Sequence, residues 1–197
     1  DMRFYSPLRY PGGKLKLTPF IRDLIAAQAN PPTHYAEAYA GGAGAAMALL
    51  CEGAVERVSL NDLDRGIAAF WHTVFYDTDT LVEAIDAVAV TIDEWHLQRS
   101  VLLEDSPSRF ELAFATFFLN RTNRSGIVGA RPIGGLEQNG KWTLDARFNR
   151  ESLKSRIRLL GQFRGAVAIS SLDGRQFVDA GFGTESTLLY VDPPYLG

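Results

Sequence analysis

Short apolar runs alternate along the chain with longer stretches that show helical periodicity. The apolar runs are bounded by polar or turn-forming residues, as buried strands are, and they cover residues 35–39, 56–60, 166–171 and 187–191. Apolar positions at helical spacing cover residues 18–28, 64–76, 79–104, 107–121 and 150–161. A further helix is predicted after the glycine-rich segment at residues 37–44, and it ends near residue 50. Strands that alternate with helices predict a Rossmann-like α/β fold, with a mainly parallel sheet and helices on both faces.

Residues 125–148 interrupt this alternation with closely spaced glycines. Within them, Asn139-Gly140 is a turn signal typical of β-hairpins. We therefore predict a small helical and β-hairpin insertion at residues 106–161, within an α/β domain made of residues 1–105 and 162–197.

Charge is unevenly distributed along the chain, whose net value is −3. Residues 1–120 hold 9 Lys and Arg against 16 Asp and Glu, whereas residues 121–175 hold 11 against 4. A basic block within an acidic chain predicts a surface that contacts phosphates. A solvated helix face with the same charges is the alternative.

Composition disfavours several classes of protein. A single cysteine excludes an internal disulfide and a Cys-based zinc site, and the three histidines lack metal-ligand spacing. We therefore expect no metal. Apolar runs are all too short for a membrane helix, and no apolar segment of a secretory signal is present near the N-terminus, so a cytoplasmic location is expected.

A glycine-rich segment at residues 37–44 follows the first predicted strand and leads into the next helix. Glycines at such a turn let the backbone approach a bound nucleotide. The spacing matches neither a dinucleotide-binding loop nor a phosphate-binding loop, which disfavours an NAD-dependent enzyme. Asp62 lies 18 residues after Gly44, close to the position of a ribose-hydroxyl acceptor. A plain strand–helix turn with a helix-capping Asp is the alternative.

The last predicted strand ends in Asp192-Pro193-Pro194-Tyr195. Each proline fixes φ at about −65°, so the turn holds the Asp192 carboxylate and the adjacent carbonyl groups as a rigid cluster of hydrogen-bond acceptors. The amine of an extruded base offers two donors to such a cluster, and Tyr195 would stack on the base. A purely structural turn is the alternative.

Taken together, the motifs resemble the Dam-type family of DNA adenine-N6 methyltransferases. The matching segments extend over nearly the whole chain, at residues 10–14, 37–44, 60–64, 118–126, 172–174 and 192–195. The resemblance implies a Rossmann-like methyltransferase sheet, S-adenosylmethionine as the cofactor, and double-stranded DNA as the partner. It also implies direct in-line methyl transfer to the N6 amine of a flipped adenine. We expect no membrane partner and a monomeric protein.

The resemblance further implies roles for individual residues. The catalytic residues are expected to be Asp192, Pro193, Pro194 and Tyr195. Cofactor contacts are expected from Tyr10, Lys14, Glu37, Ala38, Tyr39, Gly41, Gly42, Gly44, Asp62 and Asp173. DNA contacts are expected from Arg121, Asn123, Arg124, Arg131, Lys141 and Arg147. Three further arginines fit a solvated helix face as easily, namely Arg156, Arg158 and Arg164.

Family members usually continue well beyond the catalytic tetrapeptide, whereas this chain stops at Gly197. We therefore expect the C-terminal strands of the sheet to be missing from it. Two alternatives stay open. One is a methyltransferase that acts on another amine, such as cytosine N4, an RNA base or a protein glutamine. The other is a truncated, non-catalytic protein that binds DNA or the cofactor. The sequence specifies neither the recognition site nor the biological setting, such as restriction–modification.

Overall fold

The computed structural model describes residues 4–10, 14–182 and 186–193 of the chain. The α-helices in these ranges are α1 (Thr18–Ala26), α2 (Gly44–Cys51), α3 (Arg65–Tyr76), α4 (Thr78–Ala87), α5 (Ile92–Val101), α6 (Arg109–Thr122), α7 (Arg150–Gly161) and α8 (Gly174–Ala180). The strands are β1 (His34–Glu37), β2 (Arg57–Asn61), β3 (Val167–Ser170) and β4 (Thr187–Tyr190). None of the helices described combines the length and the apolar character needed to cross a membrane.

The strands form one parallel sheet in the order β3-β2-β1-β4, which confirms the predicted parallel sheet. Glu37 at the end of β1 lies opposite Leu60 of β2 and Tyr190 of β4. The carboxyl ends of the strands therefore meet at the same edge of the sheet. The chain adds β2 and β3 on one side of β1 and then returns to place β4 on the other. Such a reversal opens a crevice at the carboxyl ends of β1 and β4, where α/β proteins bind ligands.

Helices pack on both faces of the sheet, as predicted. Successive strand residues point to opposite faces. Tyr35 belongs to the large apolar core, to which helices α1 to α7 contribute. Its neighbour Ala36 packs instead with Ala38 and with Phe177 of α8. The two apolar clusters therefore lie on opposite faces of the sheet, and α8 covers the smaller one.

Helices α6 and α7 belong to the predicted insertion but share the core with the rest of the protein. Helix α6 packs against α3, and α7 packs against α4. At the first of these contacts, Phe70 and Phe117 are fully buried and stack with ring centroids 5.7 Å apart. Ser108 and Glu111 form a capping box that fixes the start of α6. The helices that carry the insertion are thus held rigidly, and its assignment to DNA recognition stays a prediction.

The helix predicted for residues 79–104 is divided into α4 and α5. Val88 ends α4 with extended backbone, at φ −65° and ψ 136°. Thr91 begins α5 because its hydroxyl oxygen accepts a hydrogen bond from the Glu94 N–H at 3.2 Å. β-Branched side chains at these positions favour extended backbone, which explains the break. The other predicted helices and strands agree with the structure apart from small differences at their ends.

Residues 125–148 do not form the predicted β-hairpin. They contain short 3-10 turns, and a single isolated antiparallel bridge joins Asn123 to Pro132. Positive φ angles recur within this stretch, at Ser125, Gly126, Gly134, Gly135 and Gln138. Backbone in the left-handed region cannot continue a strand. The segment therefore folds as successive turns, and the Asn-Gly pair does not join two strands.

Candidate active site

A cavity of about 710 Å³ opens at the carboxyl ends of the strands. Its volume lies in the range of about 300–1,000 Å³ that is typical of small-molecule pockets. The loop after β1 and the Asp192-Pro193 turn after β4 both line it. Ten residues predicted to act at the site line this cavity, namely Tyr10, Lys14, Tyr39, Gly42, Gly44, Asp62, Arg121, Arg147, Asp192 and Pro193. The structure thus brings the two turns together, as the sequence motifs require.

The glycine-rich loop after β1 provides a flat surface for an aromatic ring. Gly41 and Ala43 both adopt positive φ angles, of 50° and 44°. A Cβ atom added to Gly41 would lie 2.8 Å from the Tyr10 ring, and one added to Gly42 would lie 2.7 Å from the Tyr10 Cβ. Only glycine therefore allows Tyr10 to pack directly on the loop. The Tyr10 side chain forms one wall of the cavity.

Asp62, at the end of β2, holds the glycine-rich loop in place. One carboxylate oxygen accepts a hydrogen bond from the Gly41 N–H at 2.8 Å, and the other accepts one from the Asp64 N–H at 3.0 Å. Burial raises the pKa of Asp62, although these two hydrogen bonds oppose the rise. Asp62 also lines the cavity. Its carboxylate therefore combines a structural contact with a position where it can accept a hydrogen bond from a ligand hydroxyl.

Glu37 lies beneath the cavity and contacts it through Lys14. The Lys14 ammonium donates a hydrogen bond to the Tyr39 carbonyl at 2.6 Å and lies 3.7 Å from Glu37 Oε2. The Tyr35 hydroxyl donates to Glu37 Oε1 at 3.1 Å, and Oε2 has no hydrogen-bond partner among the residues described. Burial raises the pKa of Glu37 to about 7, against the opposing effects of Lys14 and Tyr35. Glu37 thus positions Lys14 and is itself fully buried.

The raised pKa of Glu37 predicts a pH-dependent stability that Glu37→Gln should remove. Between pH 4.5 and about 7, the folded protein keeps a proton that the unfolded chain has lost. Stability therefore falls as pH rises through this window and is constant above it, with a total change of up to about 3 kcal/mol from this group. We expect wild type and Glu37→Gln to unfold with similar free energies near pH 4.5, and the variant to be the more stable at pH 8.

Urea unfolding at both pH values measures this difference. Glu104→Gln is the matched control, because Glu104 is exposed. A stability difference between wild type and Glu37→Gln that does not change with pH would contradict the assignment.

Asn61 is a buried residue that sequence reasoning did not single out. Its amide N–H groups donate to the carbonyls of Ala38 and Leu172, at 3.0 and 2.9 Å. Its oxygen accepts hydrogen bonds from the Ser170 hydroxyl at 2.7 Å and from the Leu172 N–H at 2.9 Å. Asn61 therefore joins the ends of β1, β2 and β3. A polar residue that ends an otherwise apolar strand was the available signal.

The loop held by Asn61 leads to Asp173, which does not line the cavity. Asp173 is exposed, and its side chain caps α8 by accepting a hydrogen bond from the Arg175 N–H at 2.9 Å. The Tyr39 ring packs on Gly174, where an added Cβ would lie 2.4 Å from the ring. Asp173 is thus next to a cavity-lining aromatic residue, and its contact with the cofactor stays a prediction.

The N-terminal segment is fixed to α6 by a second buried asparagine, Asn120. Its oxygen accepts a hydrogen bond from the Arg9 N–H at 2.8 Å, and its amide donates to the carbonyls of Arg9 and Gly126 at 2.7 and 2.8 Å. A Cβ added to Gly126, which has a φ of 74°, would lie 2.4 Å from the Arg9 carbonyl oxygen. This packing connects Tyr10 on the glycine-rich loop to the insertion. The contact spans 111 residues, so no local pattern could reveal it.

A family comparison identifies the class of protein that carries this site. A family model described as D12 class N6 adenine-specific DNA methyltransferase matches residues 10–197. The chain belongs to this family. The match confirms the resemblance of the motifs and identifies an enzyme class that methylates the N6 amine of adenine in DNA. A comparison with curated proteins found no match.

The residues expected to contact DNA in this methyltransferase fall into three groups. Arg121 and Arg147 line the cavity, whereas Arg124, Arg131 and Lys141 are exposed outside its lining. Asn123 is fully buried. Its oxygen accepts a hydrogen bond from the Trp95 indole at 2.6 Å, and its amide donates to carbonyls of the following loop. The structure therefore places Asn123 where it shapes the loop, away from the surface.

Two residues of the catalytic tetrapeptide, Pro194 and Tyr195, lie outside the residues that the structure describes. Asp192 and Pro193 are exposed at the cavity. An exposed carboxylate and an adjacent carbonyl group at the mouth of a pocket are accessible to a substrate amine.

Proposed function

We propose that this methyltransferase transfers a methyl group from S-adenosylmethionine to the N6 amine of an adenine flipped out of double-stranded DNA. The observation that supports this most directly is the shared cavity, which is lined by Gly42 and Gly44 of the first turn and by Asp192 and Pro193 of the last. A cofactor on the first turn and a base at the second would thus meet within one pocket. Proximity of this kind accounts for much of the rate enhancement in transfer reactions.

The residues at the glycine-rich loop fit adenosylmethionine. The loop lacks the anion-binding pattern of a phosphate site, and this cofactor has no phosphate. Asp62 would accept hydrogen bonds from the ribose hydroxyls, and Lys14 would bind the methionyl carboxylate. Tyr10 and Tyr39 would pack against the cofactor. When bound, adenosylmethionine supplies a methyl group that its sulfonium makes electrophilic.

Residues that do not line the cavity support the same proposal, because they fix the conformation of the glycine-rich loop. The Ala38 carbonyl accepts a hydrogen bond from Asn61. Gly41 donates its N–H to Asp62, and its carbonyl accepts a hydrogen bond from the Trp71 indole at 2.8 Å. The fixed loop keeps its geometry on binding, so little entropy is lost when the cofactor is held.

At the other turn, Asp192 and Pro193 would orient the adenine amine. The Asp192 carboxylate and the Pro193 carbonyl accept its two N–H groups, which aligns the nitrogen lone pair for direct in-line transfer. This role is one of positioning and electrostatic stabilisation. Asp192 need not be a strong base, because the proton can leave after the methyl group has moved. Pro194 would keep the turn rigid, and Tyr195 would stack on the flipped base.

Transfer of a tritium-labelled methyl group by the full chain tests this proposal. The acceptors are unmethylated DNA of high sequence complexity, RNA and protein, each incubated with labelled adenosylmethionine. We expect label in DNA alone, recovered after digestion as N6-methyladenine. Label recovered as N4-methylcytosine, in RNA or in glutamine would contradict the proposed acceptor, and binding of DNA without transfer would indicate a non-catalytic protein.

A further inference from the structure

Four arginines line the cavity beside the two turns. Arg9 lies in the N-terminal segment, Arg121 in α6, Arg147 in a 3-10 turn and Arg156 in α7. We call them the arginine cluster. Burial, and after it the repulsion from the three neighbouring guanidinium groups, lowers the pKa of Arg121 to about 10. The four positive charges are therefore close enough to repel one another.

No acidic side chain in the described part of the chain pairs with the arginine cluster. Among the residues described, none of its members forms an ion pair with Asp or Glu. This contrasts with Lys154 on the same α7, which pairs with Asp86 at 2.5 Å and with Glu151 at 2.8 Å. Like charges held together without a counter-ion destabilise a folded protein. A bound anion would remove that repulsion.

Backbone carbonyl groups hold three of the four guanidinium groups in fixed positions. Arg9 donates to the Asn123 carbonyl at 3.0 Å, and Arg156 donates to the Ser6 carbonyl at 3.1 Å. Arg121 donates to the carbonyls of Arg147 and of Pro7. A guanidinium group has about five N–H donors, so Arg9 and Arg156 keep most of theirs for a ligand. Positioned arginines with unused donors are suited to bind phosphate oxygens.

We propose that the arginine cluster binds the DNA backbone phosphate next to the flipped adenine, an inference that rests on the proposed function. The cluster and Asp192 line the same cavity, so a phosphate bound there would belong to the nucleotide whose base reaches Asp192. This contact would help to offset the cost of extruding the base. Arg156, for which the sequence left a solvated helix face as an equal alternative, thus becomes part of the substrate site.

The methionyl carboxylate of the cofactor is the competing anion. It carries one negative charge beside an ammonium group, which four guanidinium groups would repel. Lys14, which donates a hydrogen bond to the glycine-rich loop at the Tyr39 carbonyl, already offers a cation to it. A polyanionic backbone matches the charge of the cluster better.

The salt dependence of DNA affinity tests the inference. It is measured for Arg156→Gln and for the control variant Arg158→Gln. Arg158 lies on the same helix but is exposed outside the cavity. For binding of the full chain to a fluorescent DNA duplex, we expect Arg156→Gln to reduce the slope of log K against log salt by about one. Arg158→Gln should leave the slope unchanged. Arg147→Gln should reduce the slope in the same way. The Arg147 guanidinium makes no hydrogen bond among the described residues, so this variant should fold even if Arg156→Gln does not.

A second measurement locates the phosphate in the cavity. Deoxyadenosine 5′-monophosphate should inhibit methyl transfer by wild type several-fold more strongly than deoxyadenosine, and Arg156→Gln should abolish that difference.

Equal salt slopes in Arg156→Gln, Arg147→Gln and Arg158→Gln would overturn the inference. So would a loss of adenosylmethionine affinity in Arg156→Gln with normal DNA binding, which would assign the cluster to the cofactor carboxylate. Failure of wild type to methylate DNA, with the slope change still present, would contradict the proposed function alone.

Discussion

Replacing Asp192 with alanine is expected to lower the rate constant for methyl transfer to adenine by about 10²–10³-fold. The carboxylate is exposed at the cavity and is proposed to accept a hydrogen bond that fixes the amine in its reactive geometry. Removing an acceptor that acts mainly in the transition state lowers kcat with little effect on ground-state binding. The affinity for adenosylmethionine, whose proposed site is at the other turn, should stay close to that of wild type.

Single-turnover transfer to unmethylated DNA measures the rate, and titration calorimetry measures cofactor binding. Asp105→Ala provides the matched control, because Asp105 is exposed in the loop between α5 and α6. Asp192→Asn should retain more activity than Asp192→Ala, since an amide oxygen can still accept a hydrogen bond. Near-normal transfer by Asp192→Ala would refute the catalytic assignment.

The second large effect is expected for Asn61→Ala, which should lower the free energy of unfolding by about 4 kcal/mol. Asn61 is fully buried, and the substitution removes four hydrogen bonds at the ends of the strands. Each is worth about 1 kcal/mol, and the carbonyls left unpaired add a desolvation cost. The loop through Leu172 should also loosen, so that adenosylmethionine binds more weakly.

Chemical unfolding with urea gives the stability change, and fluorescence or calorimetric titration gives the cofactor affinity. Asn30→Ala is the control, because Asn30 is exposed in the loop after α1. A loss of less than about 1 kcal/mol in Asn61→Ala would show that other contacts join the strand ends. Unchanged cofactor affinity despite a large loss of stability would separate the loop after β3 from the cofactor site.

Local patterns were sufficient for the strands, for most helices and for the two turns of the candidate site. Strands 4 or 5 residues long and amphipathic helices are specified by side chains close in sequence. The same reasoning failed where several local signals competed. The Asn139-Gly140 pair indicated a hairpin, but neighbouring residues with positive φ angles, such as Gly134 and Gly135, prevented strands from forming.

The roles of charged and polar side chains in the site were less accessible to sequence reasoning. Glu37 belongs to the cofactor motif, yet its side chain points into the core and reaches the cavity through Lys14. For Arg156 the sequence left a solvated helix face open, and the structure places the residue in the lining of the cavity. Asn123 was expected at DNA and is buried against Trp95. Direction and burial of a side chain depend on which elements pack around it, and a motif does not contain that information.

The sequence by itself determined the parallel α/β sheet, its glycine-rich and acidic turns, and their order along the chain, because each depends on backbone preferences of neighbouring residues. Only the tertiary structure decided that Arg9 lies against Asn120, 111 residues away, and that four arginines line one cavity without forming an ion pair with any acidic residue described. Such contacts form when distant segments are buried against a common core. The repulsion between the arginine charges depends on their distances in space, and these distances cannot be predicted from the spacing of the residues along the chain.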